Sequence, residues 1–232
     1  MASDSRNVSR ETFVGGSPPG SPALEQEPSA AAAVFGDHLA AVRLLARDLA
    51  FHSEELGLLG PLELERLWTR HLINCAVVAP YLSAGARVAD VGSGAGLPGL
   101  VLAILRPDVS FTLIEPMERR SDWLVAQSAR LGLGNVAVLR ARAEEAVASG
   151  PFDQVTARAV SALSKLIVMT APLLREGGEM LFLKGARIPE EVTAAGLAMK
   201  KHRVYRHEVL VLEAGASSEA TRLFRATVGV AV

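Results

Sequence analysis

The chain has 232 residues, half of them hydrophobic, which is enough to bury one sizeable α/β core with an appendage. Its formal net charge of -1 excludes the global basic field of many nucleic-acid binders, so any RNA contact must come from a local patch. The single cysteine, Cys75, excludes an internal disulfide and a cysteine-built metal site. With one thiol, a reducing cytoplasm is the expected compartment. No run of about 18 apolar residues predicts a membrane span, and the N-terminus lacks the basic-then-apolar pattern of a secretory signal.

Residues 1–28 are rich in Ser, Gly, Pro and Glu and are expected to be disordered, because they have little to bury. Residues 29–56 read as a helix with Val34, Leu39, Val42, Leu45 and Leu49 near helical spacing. Gly57 to Pro61 ends it, and a second helix is expected from Pro61 to Val78. Residues 29–83 thus form a helical N-terminal extension, and 84–232 the main domain.

In the main domain the pattern changes. Strands are expected at Arg87–Val91, Phe111–Ile114, Val136–Leu139, Phe152–Thr156 and Met180–Leu183. Helices are expected over 97–105, 117–131, 144–148, 161–174 and 189–200, with Gly177-Gly178 turning the chain. His207–Leu212 and Leu223–Thr227 read as a closing antiparallel pair. Strands alternating with helices predict a mostly parallel, seven-stranded sheet covered on both faces.

The segment Asp90-Val91-Gly92-Ser93-Gly94-Ala95-Gly96 stands between the first strand and a helix. Glycines there let the backbone approach a ligand at the strand's carboxyl end. Gly94-Ala95-Gly96-Leu97-Pro98-Gly99 also fits the dinucleotide fingerprint, so spacing alone leaves two cofactors open. Asp90 would add negative charge beside a pyrophosphate, whereas S-adenosylmethionine carries an ammonium and a sulfonium that a carboxylate favours. Glu115, at the end of the second strand, can accept from the ribose hydroxyls of either cofactor. An NAD-dependent oxidoreductase would also need a catalytic Tyr-Lys, Ser or His set. Neither Tyr81 nor Tyr205 is followed by a suitably spaced lysine.

Several segments together resemble the RsmG (GidB) family of bacterial 16S rRNA methyltransferases. They are Arg70-His71-Leu72-Ile73-Asn74, the glycine segment continued through Leu97-Pro98-Gly99, Phe111 to Glu115 with Arg119-Arg120, Arg142-Ala143-Glu144-Glu145, Ala157-Arg158-Ala159 and Leu183-Lys184-Gly185. Gly-Leu-Pro-Gly and Ala-Arg-Ala are the most specific pieces. The resemblance implies a class I S-adenosylmethionine-dependent methyltransferase fold, Rossmann-like, with a small helical extension. It implies methylation of N7 of a guanine, position 527 in the 530 loop of 16S rRNA, on the free RNA or a small-subunit particle. It also implies that Gly92 and Leu97 line the cofactor, that Ala143 and Glu144 flank the adenine, that Glu115 holds the ribose, and that Arg158 lies at the cofactor or active-site mouth. The family often has Asp where this chain has Asn74, and Ser where it has Cys75.

Guanine N7 has a free lone pair, so no general base and no metal are called for. The cofactor set is Asp90, Gly92, Gly94, Gly96, Leu97, Glu115, Ala143, Glu144 and Arg158. Arg158 is either a substrate or cofactor contact or a strand-end arginine paired with an acid. Lys184 either meets a phosphate or is solvated. Arg119 and Arg120 either bind RNA or open an exposed helix. His71 either joins the substrate site or is bonded to the sheet from a helix end. Lys200-Lys201-His202-Arg203 with Arg206 is the best basic run, with RNA contact or simple solvation both open. Trp68 and Trp123 fall on apolar faces and are read as core. A monomer is expected, and a non-catalytic ribosome-assembly factor on the same fold stays as an alternative.

Overall fold

A computed structural model describes residues 24–213 and 220–229. The expectation for residues 1–23 lies outside the described residues. Residues 24–28, expected to belong to a disordered tail, are instead tied down. The Glu25 amide donates to the Leu64 carbonyl at 2.9 Å, and Glu27 pairs with Arg43 at 2.6 Å.

The extension begins with α1 (Ala30–Phe35) and α2 (Leu39–Leu56). Gly57 closes α2 in the left-handed conformation at φ +60°, which glycine adopts at little cost. The helix expected over 61–78 is instead a composite. A tight 3-10 stretch (Pro61–Arg66) runs into a wide π turn (Leu67–Leu72), and only α3 (Ile73–Ala76) is regular. The Glu25 carboxylate accepts from the Trp68 and Thr69 amides at 2.7 and 3.0 Å, satisfying donors that this irregular start leaves without helical partners.

The described residues form a seven-stranded sheet in the order β3-β2-β1-β4-β5-β7-β6. The strands are β1 (Arg87–Val91), β2 (Ser110–Ile114), β3 (Val136–Leu139), β4 (Phe152–Arg158), β5 (Leu174–Lys184), β6 (Val204–Leu212) and β7 (Thr221–Val228). β1 to β5 are parallel, and β7 runs antiparallel between β5 and β6. Helices α4 (Gly99–Leu105), α5 (Glu118–Arg130), α6 (Leu163–Thr170), α7 (Ile188–Ala194) and α8 (Gly196–Lys201) connect them.

Three expectations are corrected. β5 runs straight through Gly177-Gly178, where a shift of register against β4 takes up the glycines as a bulge. The helix of 161–174 stops at Thr170 and tightens over Ala171–Leu173, because Pro172 cannot donate to the preceding turn. The helix of 189–200 breaks in two at Ala195, with Gly196 opening the second piece.

Alternation along each strand sorts the core. Val88, Leu113, Leu181, Leu183 and Leu223 belong to one buried cluster with α2, the π turn, α4 and α5. Ala89, Val91, Val155, Phe182 and Phe224 belong to the other, with α6, α7 and α8. The extension therefore shares a core with the sheet. No helix among the described residues is long and apolar enough to cross a membrane. β1 lies between β2 and β4, where the strand order reverses. Ligands of such sheets lie in the crevice beyond the carboxyl ends at this point.

Candidate functional site

The glycine segment is a turn that side chains cannot build. Gly92, Gly94 and Gly96 have φ of +68°, +52° and +88°. A Cβ on Gly92 would lie 2.7 Å from Val160 Cγ2, just past β4. The amides of Gly92 and Ser93 both donate to the Ile114 carbonyl, at 2.9 and 3.2 Å, which ties the turn to the tip of β2. Trp123 Nε1 donates to the Ala95 carbonyl at 3.2 Å. Trp68 and Trp123 are both buried, as expected. Leu97 is buried just before α4.

Asp90, expected in the cofactor set, is buried beneath the turn. Its side chain has no exposed surface. Oδ1 accepts from the Thr156 hydroxyl at 2.8 Å, and Oδ2 from the Gly99 amide at 3.2 Å. Burial pushes its pKa up to about 6, against the hydrogen bonds from Thr156, Ser93 and Gly99, while Glu115 pushes the same way as burial. Asp90 therefore holds the turn from beneath. The same contact bears on the dinucleotide alternative: the first amide of α4 is capped by an internal acid, whose charge disfavours a pyrophosphate beside it.

Glu115 lies across the turn at the tip of β2. Its Oε2 accepts from the Gly94 amide and its Oε1 from the Met117 amide, both at 2.9 Å. Ala143 is buried past the tip of β3 in the same cluster as Ile114, and Glu144 beside it is exposed. The structure thus brings the glycines, Leu97 and Glu115 to the carboxyl ends of β1 and β2, with Ala143 past the tip of β3.

Arg158 ends β4, and β1 and β4 are in register with Val91 opposite Ala157. Its guanidinium turns to the extension. Nη2 donates to His71 Nδ1 at 2.7 Å and to the Arg70 carbonyl at 3.1 Å, and Nη1 lies 3.6 Å from Cys75 Sγ. His71 Nε2 is 2.6 Å from Glu63 Oε2. Arginine only donates and a carboxylate only accepts, so the ring is neutral with its proton on Nε2. Burial and the Arg158 charge push the His71 pKa down to about 4, against the opposing pull of Glu63. Burial pushes the Cys75 thiol up to about 11. Arg158 is thus paired with a histidine, not with an acid.

Beside these groups is a cavity of about 430 Å³ whose polar lining comes from Arg70, Asn74, Arg158, Lys184, Glu191 and Arg222. Lys184 is not a solvated strand-end lysine. Its side chain is 10% exposed, and Nζ lies 2.7 Å from Glu191 Oε2 and donates to the Ser161 carbonyl at 2.9 Å. Arg119 is exposed on α5, whereas Arg120 Nη2 donates to the Gly57 carbonyl at 2.7 Å and joins α5 to the end of α2. The basic run at 200–206 lies elsewhere. Val204 pairs with Val228 and Tyr205 with Thr227, at the opposite end of the sheet from Lys184 and Arg222. Sequence reasoning missed Glu63, Glu191 and Arg222. Glu63 stands eight residues before His71 across a change of helix type, where no single period applies.

Solved structures share this architecture. An S-adenosylmethionine-dependent O-methyltransferase from Thermotoga maritima superposes with a TM-score of 0.54 at 17% identity, covering 68% of this chain and 66% of that one. TYW2 from M. jannaschii, solved in complex with AdoMet, gives 0.52 at 16% identity, covering 68% of this chain and 75% of that one. The fold is that of the class I methyltransferases. The family model described as rRNA small subunit methyltransferase G (GidB) matches residues 38–220. A ribosomal RNA small subunit methyltransferase G from Leifsonia xyli subsp. xyli is 58% identical over 88% of this chain and 98% of its own length. One from Clavibacter sepedonicus is 56% identical over 88% and 97%. The chain belongs to the rRNA small subunit methyltransferase G (GidB) family.

Proposed function

We propose that this protein uses S-adenosylmethionine to methylate N7 of a guanine in 16S rRNA, position 527 in the 530 loop, in the cytoplasm. The observation that carries the reading is that Val91, which leads into the glycine turn, is the partner of Ala157 across β1 and β4, one residue before Arg158 on the wall of the arginine-lined cavity. The name shared by the relatives supports ribosomal RNA of the small subunit as the substrate.

The residues fit the cofactor. The turn excludes a Cβ at Gly92, and an acid stands 2.9 Å from the Gly94 amide at the neighbouring strand tip. Gly92, Gly94, Gly96 and Leu97 would line it, Glu115 would take the ribose hydroxyls, and Ala143 and Glu144 would flank the adenine. When bound, S-adenosylmethionine supplies a methyl group made electrophilic by its sulfonium.

Guanine N7 carries a free lone pair and no proton, so no side chain of this protein would need to act as a base. The protein's work is alignment and exclusion of water. Asn74 and Arg158 on the cavity wall carry donors suited to a guanine edge or its phosphate. A base must leave its stack to reach them, which favours a loop over a duplex.

Incubation with tritiated S-adenosylmethionine and small-subunit particles or free 16S rRNA from unmodified cells should place N7-methylguanine at one nucleotide, mapped by mass spectrometry. Glu115→Ala should weaken cofactor binding about ten-fold or more in calorimetry, the cost of losing charged hydrogen bonds. Label elsewhere in the RNA, or none, sinks the reading.

A further inference from the structure

We propose that His71, with its tautomer set by Glu63, is a positioning residue that aims Arg158 into the cavity, so that the helical extension builds part of the active site. The proposal rests on the methyltransferase reading above and adds a role for residues outside the methyltransferase sheet.

Arg158 ends β4. A strand-end guanidinium on a flexible stem has many rotamers, and holding one costs entropy unless its donors find partners. Here the partners come from the extension alone: His71 Nδ1 at 2.7 Å, the Arg70 carbonyl at 3.1 Å and Cys75 Sγ at 3.6 Å. The thiol is a weak acceptor, so the ring nitrogen and the carbonyl do most of the holding. The π turn explains how one short segment reaches so far. Its wider winding brings the carbonyl of Arg70 and the ring of His71 to the same guanidinium, and such turns recur at functional sites.

Glu63 completes the chain. Its Oε2 accepts a hydrogen bond from Nε2–H at 2.6 Å, which leaves Nδ1 as an acceptor, and the same oxygen pairs with Arg70 Nε at 3.2 Å. With the opposite tautomer, Nδ1–H would face Nη2–H, donor against donor. His71 is 5% exposed, so water cannot repair that mismatch. Arg158 in turn lines the cavity one residue beyond the strand pair that holds the glycine turn.

The test is a double-mutant cycle in the full chain, read by methylation of small-subunit particles. His71→Ala should lower kcat/KM by about ten- to a hundred-fold, as loss of alignment does. In an Arg158→Ala background the same change should cost less than about two-fold, since residues acting as one unit are not additive. His71→Asn keeps an acceptor near the place of Nδ1 and should recover most of the loss. Glu63→Gln should be mild and Glu63→Ala severe. A misfolded His71→Ala variant would be exposed by its thermal unfolding, and then His71→Asn and the Glu63 pair carry the cycle. Independently, nitrogen-15 spectra of the histidine ring in the unmutated protein should show the Nε2–H form at pH 7. Additive losses, or an Nδ1–H ring, overturn the proposal. The ring spectrum needs no turnover. An inactive unmutated protein with the Nε2–H ring would count against the rRNA reading, whereas the wrong tautomer counts against this one.

Discussion

Gly99 has no room for a side chain. A Cβ there would press on Leu113 and stand 2.6 Å from Asp90 Oδ2. The carboxylate cannot retreat, because Thr156 holds its other oxygen. Gly99→Ala should therefore destabilise the fold by about 1–3 kcal/mol in urea unfolding, the usual cost of overpacking, and weaken cofactor binding in calorimetry. Asp90 itself makes a prediction about pH. Its ordinary pKa is 3.8 and burial raises it to about 6 in the native protein. The folded chain thus binds this proton more tightly than the unfolded chain. Asp90's contribution to stability is fullest below about pH 4 and declines as pH rises towards 6. Asp90→Asn cannot titrate, so the stability difference between the two proteins, followed by denaturant titration across this window, should shrink by that decline. A difference that grows with pH would contradict the burial argument. Both strand-end acids were legible as site residues in the sequence. That both are buried among their hydrogen-bond donors was not, because one residue of strand register reverses inside and outside.

Among the elements, the first three strands were legible nearly to the residue, since short β-branched runs stood between glycines and prolines. The fifth strand was cut short because Gly177-Gly178 reads as a turn, and only pairing with β4 on either side turns it into a bulge. The extension was the least legible. Its apolar spacing suits an ordinary helix, yet it winds tightly and then widely, and its loose amides are met by Glu25, which sequence reasoning had assigned to a disordered tail. Glu25→Ala removes the acceptor for two amides and should cost about 1–2 kcal/mol, as loss of a helix cap does. It should also lower methylation more than a surface change of equal cost, because the same turn carries His71. Urea unfolding and initial rates measured side by side check both halves.

For the whole molecule, the sequence suggests an extension and a domain, while the structure packs them on one core. Leu45, Leu49, Leu67 and Leu72 belong to the same buried cluster as Val88, Leu181 and Leu223. The Arg130–Asp48 pair at 2.6 Å fastens α5 to α2 across that boundary. Unfolding should therefore be a single transition, with calorimetric and van't Hoff enthalpies in agreement. A chain starting at residue 84 should be poorly soluble, since one sheet face would lose its cover. Two separate transitions would show the units to be independent.

Cys75 turns this packing into a clock. The thiol is fully buried beneath Arg158 and held protonated far above neutral pH, so a disulfide reagent finds neither access nor thiolate. Reaction must wait until the extension lifts off the strand ends. Labelling rates with excess reagent then report how often the protein gapes at that seam, on a reporter that no engineering has to introduce. RNA or cofactor that clasps the seam should slow the labelling, and Glu63→Ala should quicken it.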